Sequence, residues 1–294
     1  MAFVAPDGLT EEGTGKSFKD SRGMTIHYHD IGPSAGLRTG SSDPIIFLHT
    51  YGPGSTAWLT WHKVIGEFSK HFRCVLMDMV NYGKSGPEVY NEPGHSVQSR
   101  AARALMDHLG IPRAMYVGNS MGGTTCLVQA IEAPERVSKI VLGGSHASTG
   151  GDPYIIANFP SEGSKATQET YADPSREQFI RYLKAHLYDE AMATDPELVD
   201  YVYSTWTNAK AHQEAQGKSI SVSHSNLGLL PGIKVPVRIV HGRFDRMVTV
   251  EQALMLMGYM PQADLVILNR VGHWAPYERP DEYVSQVLPF LLAE

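Results

Sequence analysis

The chain has 294 residues, 42% hydrophobic and 19% charged, which suits a globular protein with a substantial core. A net charge of −6 without any basic block gives no electrostatic footing for nucleic acid. No apolar run approaches the ~20 residues of a membrane span. Met1 to Lys16 is Gly-rich and polar rather than a signal peptide, and two cysteines, Cys74 and Cys126, are too few for a disulfide framework. The expected location is the cytoplasm.

Met24 to His29 reads as a strand after a Ser-Arg-Gly turn, and Pro44 to Leu48 as a buried strand. Trp58, Trp61, Val64, Ile65 and Phe68 fall at helical spacing, so a helix is expected over 58–68. A strand at 73–77, a helix near 97–109, a strand at 114–117, a helix from Gly122 to about Ala133 and a strand at 139–142 follow. From about His146 to Pro231 aromatic and charged residues mix at helical spacing with no strong strand. Alternation resumes with a strand at 235–240, a helix at 250–260, a strand at 265–268 and a final helix. Strands alternating with helices predict an α/β fold, a mostly parallel sheet flanked by helices. The core is expected over 16–145 and 232–294, with a helical cap insertion over 146–231.

Gly118-Asn119-Ser120-Met121-Gly122 matches the G-x-S-x-G nucleophile elbow and stands between a predicted strand and a predicted helix, the context that motif requires. Ser120 is then the nucleophile, on a strained turn where glycines keep side chains out of a crowded bend. A serine hydroxyl is a weak nucleophile and needs a base held by an acid, which follow in this fold in the order Ser, acid, His. Asp245, just past the strand at 235–240, and His273, just past the last strand, meet that order. A turn-capping aspartate and a surface-loop histidine are the plain alternatives, and Asp152 is the next candidate acid. The oxyanion hole draws on the Met121 amide and on one from the loop after His49, which His49 itself shapes. His27 and His29 share a strand face without a third ligand at sensible spacing, so a solvated face is expected there and no metal site.

The His49-Thr50-Tyr51-Gly52-Pro53-Gly54 loop with Trp58, the Gly-Asn-Ser-Met-Gly-Gly elbow, Gly242 to Arg246 and Gly272-His273-Trp274 together resemble the meta-cleavage product hydrolases. These are α/β-hydrolases that cleave carbon–carbon bonds in ring-opened aromatic compounds. The resemblance implies Ser120, Asp245 and His273 as a triad and the amides of Tyr51 and Met121 as the oxyanion hole. It implies Asn119 and Trp274 as pocket residues, and Gly52 and Tyr203 are further expected substrate contacts. It implies no cofactor and a homodimer or larger assembly. The family usually carries an asparagine where this chain has Thr60, and a cap arginine where counting reaches Val202. Both normally contact an anionic dienol acid, and burying a carboxylate without a cation is costly. Arg176, Arg181 and Lys184 are the cap cations that could take its place.

The aromatic cap residues Tyr154, Phe159, Tyr182, Tyr188, Tyr201, Tyr203 and Trp206 suit a largely apolar pocket. The expected function is therefore a serine hydrolase acting through an acyl-enzyme on a small, neutral, aromatic ester or lactone. The alternative is carbon–carbon hydrolysis of ring-fission diketo acids. A ligand receptor without turnover and a cofactor-free dioxygenase are the rivals from other classes.

Overall fold

The computed structural model describes residues 3–33, 43–147 and 161–293, so Asp152, Tyr154 and Phe159 lie outside the described residues. The chain opens with a short helix α1 (Glu11–Thr14) and the strands β1 (Gly15–Lys19), β2 (Thr25–Ile31) and β3 (Ile45–Leu48). Two short helices, α2 (Ala57–Trp61) and α3 (Ile65–Ser69), stand where one helix is expected over 58–68. The apolar spacing holds across both, with Trp58, Trp61, Val64, Ile65 and Phe68 fully buried. His62 Nδ1 lies 3.1 Å from the carbonyls of both Trp58, which also accepts the His62 amide, and Leu59, the acceptor that the next helical bond would use.

The next segment holds β4 (Cys74–Met77), the two-residue β5 (Asn91–Glu92), α4 (Gly94–His108), β6 (Ala114–Asn119), α5 (Met121–Glu132) and β7 (Val137–Gly143). Beyond 160 come the cap helices α6 (Glu162–Ala172), α7 (Arg176–His186), α8 (Glu190–Ala193), α9 (Pro196–Thr207) and α10 (Lys210–Lys218). The short strand β8 (Ile220–Ser221) pairs in parallel with β5 and ties the end of the cap to the core. The chain closes with β9 (Val237–Gly242), α11 (Val250–Tyr259), β10 (Ala263–Leu268), α12 (Ala275–Glu278) and α13 (Pro280–Leu292).

Eight strands form one sheet in the order β1-β2-β4-β3-β6-β7-β9-β10. The pairs β1–β2 and β2–β4 are antiparallel and the rest parallel. Every residue of β3, β4 and β6 is buried, the signature of strands covered on both faces, and a large apolar cluster lies on each side. From β3 the chain steps to β4 on one side and later to β6 on the other. The loops leaving β3 and β6 therefore open a crevice at the carboxyl end of the sheet, where ligands bind in such folds.

One expectation is overturned at β2. The face bearing His27 and His29 is buried, 4% and 0% exposed, not solvated. His27 Nδ1 pairs with Asp78 at 2.9 Å and His29 Nδ1 meets the Thr14 hydroxyl at 2.9 Å. Asp78 and the N-terminal segment together close over that face. Phe3, the first described residue, is already packed, its carbonyl accepting the Trp58 indole N–H at 2.8 Å.

Candidate active site

Ser120 sits between β6 and α5 with φ 57° and ψ −121°, a conformation that a non-glycine residue adopts only under constraint. Its amide donates to Gly143 O at 2.7 Å, and Ser145 Oγ donates to its carbonyl at 3.0 Å. A Cβ on Gly122 would come within 2.1 Å of Leu48 O, so only glycine lets the elbow touch the end of β3. That contact brings the Gly122 amide 3.1 Å from His49 O and seats the His49–Gly54 loop against the turn. His49 is held in one tautomer, with Nε2 accepting from the Met79 amide at 2.8 Å and Nδ1–H donating to Thr50 O at 2.7 Å. Met121 begins the twelve-residue α5, so its amide has no carbonyl one turn back, and the positive end of the helix faces Ser120.

Asp245 and His273 meet below this turn, Nδ1–H of the imidazole donating to Oδ2 at 2.8 Å. The other carboxylate oxygen accepts from the amides of Met247 and Val248, both at 2.8 Å. Burial alone would raise this carboxyl, but His273, His241 and the Val248 amide together hold it below the ordinary carboxylate value. His241 completes the cage. Its Nε2–H donates to Val248 O at 2.8 Å and lies 3.4 Å from Asp245 Oδ2. Its Nδ1 accepts from the Gly144 amide at 3.3 Å, and burial keeps the ring neutral by lowering its pKa.

With Nδ1 committed to Asp245, His273 Nε2 is the nitrogen left with a lone pair, and it is buried with no hydrogen-bond partner among the described residues. The Ser120 hydroxyl therefore does not hydrogen-bond the imidazole in this structure, a looseness common before substrate tightens a site. The two are nonetheless neighbours through one stretch of chain. Gly143 binds the Ser120 amide, and a Cβ on Gly144 would stand 2.9 Å from the His273 ring.

A cavity of about 360 Å³ opens at Ser120, lined in part by Tyr51, Tyr82, Tyr90, Met121 and His146. The expected substrate contacts lie elsewhere. Asn119 Nδ2 donates to His273 O at 3.1 Å, so its amide braces the histidine loop. Trp274 is buried between Tyr182 and Tyr277, Gly52 lies against the Tyr182 hydroxyl, and Tyr203 packs on Phe179. Tyr182, Tyr201 and Trp206 are likewise buried in the packing between cap and core, while Tyr188 is 42% exposed. Tyr182, Tyr201 and Trp206 thus cement cap to core, and the tyrosines that line this cavity, Tyr51, Tyr82 and Tyr90, come from the core.

Sequence reasoning passed over Glu278. This buried carboxylate accepts the amides of Gly272 at 3.0 and 3.1 Å, Trp274 at 3.1 Å and Tyr188 at 2.7 Å. The available signal was an acidic residue in the otherwise apolar Trp274-Ala275-Pro276-Tyr277-Glu278 stretch. Among the described residues, no group of three His, Cys, Asp or Glu side chains is placed to hold a metal ion, and no helix is long and apolar enough to cross a membrane.

Residues 43–280 match the family model of the alpha/beta hydrolase fold. The chain is 34% identical over 290 residues to a 2-hydroxy-6-oxononadienedioate/2-hydroxy-6-oxononatrienedioate hydrolase of Burkholderia vietnamiensis, covering 96% of this chain and 97% of the relative. The chain belongs to the α/β-hydrolases, in the family of meta-cleavage product hydrolases. This hydrolase is also 34% identical over 299 residues to a 2-hydroxy-6-oxo-6-phenylhexa-2,4-dienoate hydrolase of Comamonas testosteroni, with 96% and 98% covered. Among solved structures, the hydrolase superposes on a meta-cleavage product hydrolase from Pseudomonas fluorescens with a TM-score of 0.78, 27% identity and 94% and 97% of the two chains covered. A 2-hydroxy-6-oxo-6-phenylhexa-2,4-dienoate hydrolase from Rhodococcus gives 0.79, 26%, and 95% and 100%.

Proposed function

We propose that the protein hydrolyses a carbon–carbon bond in a 2-hydroxy-6-oxo-dienoate, a ring-opened aromatic compound, with Ser120 as nucleophile, His273 as base and Asp245 as the orienting acid. The observation that carries this reading is likeness along nearly the whole chain to hydrolases of such compounds, joined to a serine elbow and a buried His–Asp pair. It reverses the order of the two reactions expected from sequence, in which a neutral ester or lactone stood first. The relatives' names favour the dienoate acids.

In this reading Ser120 adds to the 6-oxo carbon as its proton passes to His273 Nε2, and the Tyr51 and Met121 amides receive the oxyanion. The bond between C5 and C6 then breaks. Its electron pair can leave because ketonisation has moved the 2-hydroxyl proton to C5, so the pair runs through the enone to the 2-oxygen, where the imidazolium protonates it to give the 2-hydroxydienoate. Water, deprotonated by the same histidine, frees the acyl group from Ser120.

The test is product analysis with 2-hydroxy-6-oxo-6-phenylhexa-2,4-dienoate. Equal amounts of benzoate and 2-hydroxypenta-2,4-dienoate are expected. An enzyme that leaves this compound and its dienedioate counterpart intact while hydrolysing aryl esters or lactones would overturn the reading.

A further inference from the structure

The cavity at Ser120 has an unusual charge inventory for a protein whose relatives include hydrolases of dienedioates. No lysine, arginine, aspartate or glutamate is among the described residues that line it. The two positions at which the family presents polar groups to its acid are filled otherwise. Thr60 turns its hydroxyl to Thr56 O at 3.1 Å, and Val202 is fully buried with its backbone against Gly54.

Three cap cations are engaged outside the cavity, and the exposed Lys165, Lys210 and Lys218 are not among its lining residues. Arg176 pairs with Asp200 at 2.7 Å, Arg181 donates to Gln178 Oε1 at 2.6 Å, and Lys184 pairs with Glu190 at 3.2 Å. Arg246, next to Asp245, reaches Glu162 at 3.3 Å and Leu187 O at 3.0 Å.

The amides on the wall are also spent on the protein's own backbone. Gln98 bonds both the amide and the carbonyl of Val80, at 2.7 and 3.1 Å. Asn81 does the same with Glu88, both at 2.8 Å, and Gln216 donates to Asn81 O at 2.9 Å. The other polar groups on the wall are hydroxyls and the imidazoles of His146 and of His95, whose Nδ1 meets the Thr125 hydroxyl at 3.0 Å. Burial raises the phenols of Tyr51, Tyr82 and Tyr90 and holds both imidazoles at about 4, so the wall disfavours charge of either sign. Water reaches the rim, at Ser221 and at Tyr51, which is 36% exposed.

Resting on the carbon–carbon reading, we infer that the cavity takes an uncharged substituent on the 6-oxo carbon, an aryl or alkyl group, and that the substrate carries one carboxylate only, kept at the wet mouth. A compound acidic at both ends would force one carboxylate inward, where nothing pairs with it, and unpaired burial of charge is far costlier than burial of a ring. The protein then sides with the phenyl compounds over the dienedioates, although a relative of each kind is 34% identical to it.

The experiment has a kinetic arm and a binding arm. In the first, kcat/KM is compared for 2-hydroxy-6-oxo-6-phenylhexa-2,4-dienoate, for 2-hydroxy-6-oxononadienedioate, and for the dienedioate methylated on its distal carboxyl. The phenyl compound is expected to lead the dienedioate by tenfold or more, and methylation to recover most of that gap. A dienedioate turned over as fast as the phenyl compound overturns the inference and leaves carbon–carbon hydrolysis intact. In the second, calorimetry on the intact protein compares monomethyl succinate with succinate, the acid a dienedioate would release, which share the carboxylate at Ser120 and differ in charge at the distal end. The monomethyl ester is expected to bind at least tenfold tighter at pH 7.5, and succinate binding as tightly or better overturns the inference. This arm decides even if none of the three compounds is hydrolysed, a result that would sink the reaction assignment instead.

Discussion

The Glu278 carboxylate accepts the amide of Trp274 at 3.1 Å and, with both oxygens, that of Gly272, so one buried side chain grips the chain on either side of His273. Its fourth bond, from the Tyr188 amide at 2.7 Å, reaches into the cap. Burial raises this carboxyl and nearby Asp245 adds to the effect, against the pull of the three amide donors. The His273 amide itself donates to His186 O at 2.7 Å, so the loop is held by core and cap together.

From this follows the first prediction. In Glu278→Gln one oxygen becomes an NH2 group, which faces backbone donors it cannot satisfy. The cost of leaving buried donors unpaired is about 1–3 kcal/mol. We expect Tm to fall and kcat to drop at least tenfold while KM stays within about threefold, because the substituted side chain positions the base without touching substrate. A variant with wild-type kcat would show that the loop holds its shape without the carboxylate.

The second prediction separates the expected nucleophile from its support. Ser120→Ala is expected to lower kcat ~10³-fold or more with the fold kept, since only one oxygen is removed. Asp245→Asn is expected to be comparably impaired for another reason. Oδ1 already accepts from two backbone amides and Oδ2 from His273, so an NH2 on either side meets a donor. The imidazole then loses the tautomer that leaves Nε2 free. Turnover by a well-folded Asp245→Asn variant at the normal rate would move the acid elsewhere.

Most of the frame is legible in the sequence because buried parallel strands write themselves as apolar runs, as at Ile45–Leu48 and Cys74–Met77. Ser120, Asp245 and His273 can be singled out as candidates because the elbow pattern fixes one residue and chain order picks the other two, which the structure pairs at 2.8 Å. His27 and His29 were misread because strand alternation reports which residues share a face, not what covers it. Asp78 and Thr14, distant in sequence, provide that cover. The cavity wall was hidden for the same reason. Most of its residues come from 80–98 and 216–221, segments joined by the two-residue β5–β8 pairing and by bonds such as that from Gln216 to Asn81 O, which leave no sequence signature. Glu278 was missed because its partners are backbone amides, which no side-chain pattern reveals.

A third prediction concerns acid. Burial lowers His29, His62, His95 and His146 to about 4 and His186 to about 3, whereas an unfolded histidine titrates near 6.5. A depressed folded value means that the unfolded chain binds protons first. The stability these neutral rings contribute is complete above pH ~6.5 and is lost as pH falls toward ~4. Urea unfolding at pH 7.5, 6 and 5 is expected to show a steep decline, with uptake of on the order of four protons on unfolding at pH 5. Stability that stays flat from pH 7.5 to 5 would mean these rings are charged or exposed in the native protein.

The last prediction uses Gly144, which has φ 57° and carries the contact between the elbow and the imidazole. A Cβ there would lie 2.9 Å from both Nδ1 and Cε1 of His273 and 3.3 Å from Asp245 Oδ2. Gly144→Ala therefore pays a left-handed backbone cost of roughly 1–2 kcal/mol and also pushes the ring off its carboxylate. A mild loss of Tm and a fall in kcat of tenfold or more are expected. The two effects separate in a double-mutant cycle. If the methyl acts by disturbing the His273–Asp245 bond, adding Gly144→Ala to Asp245→Asn should cost little further activity, because that bond is already broken. Fully multiplicative losses would instead mean that the alanine disturbs the Ser120 turn through Gly143, and the crowding at the imidazole would not be the cause.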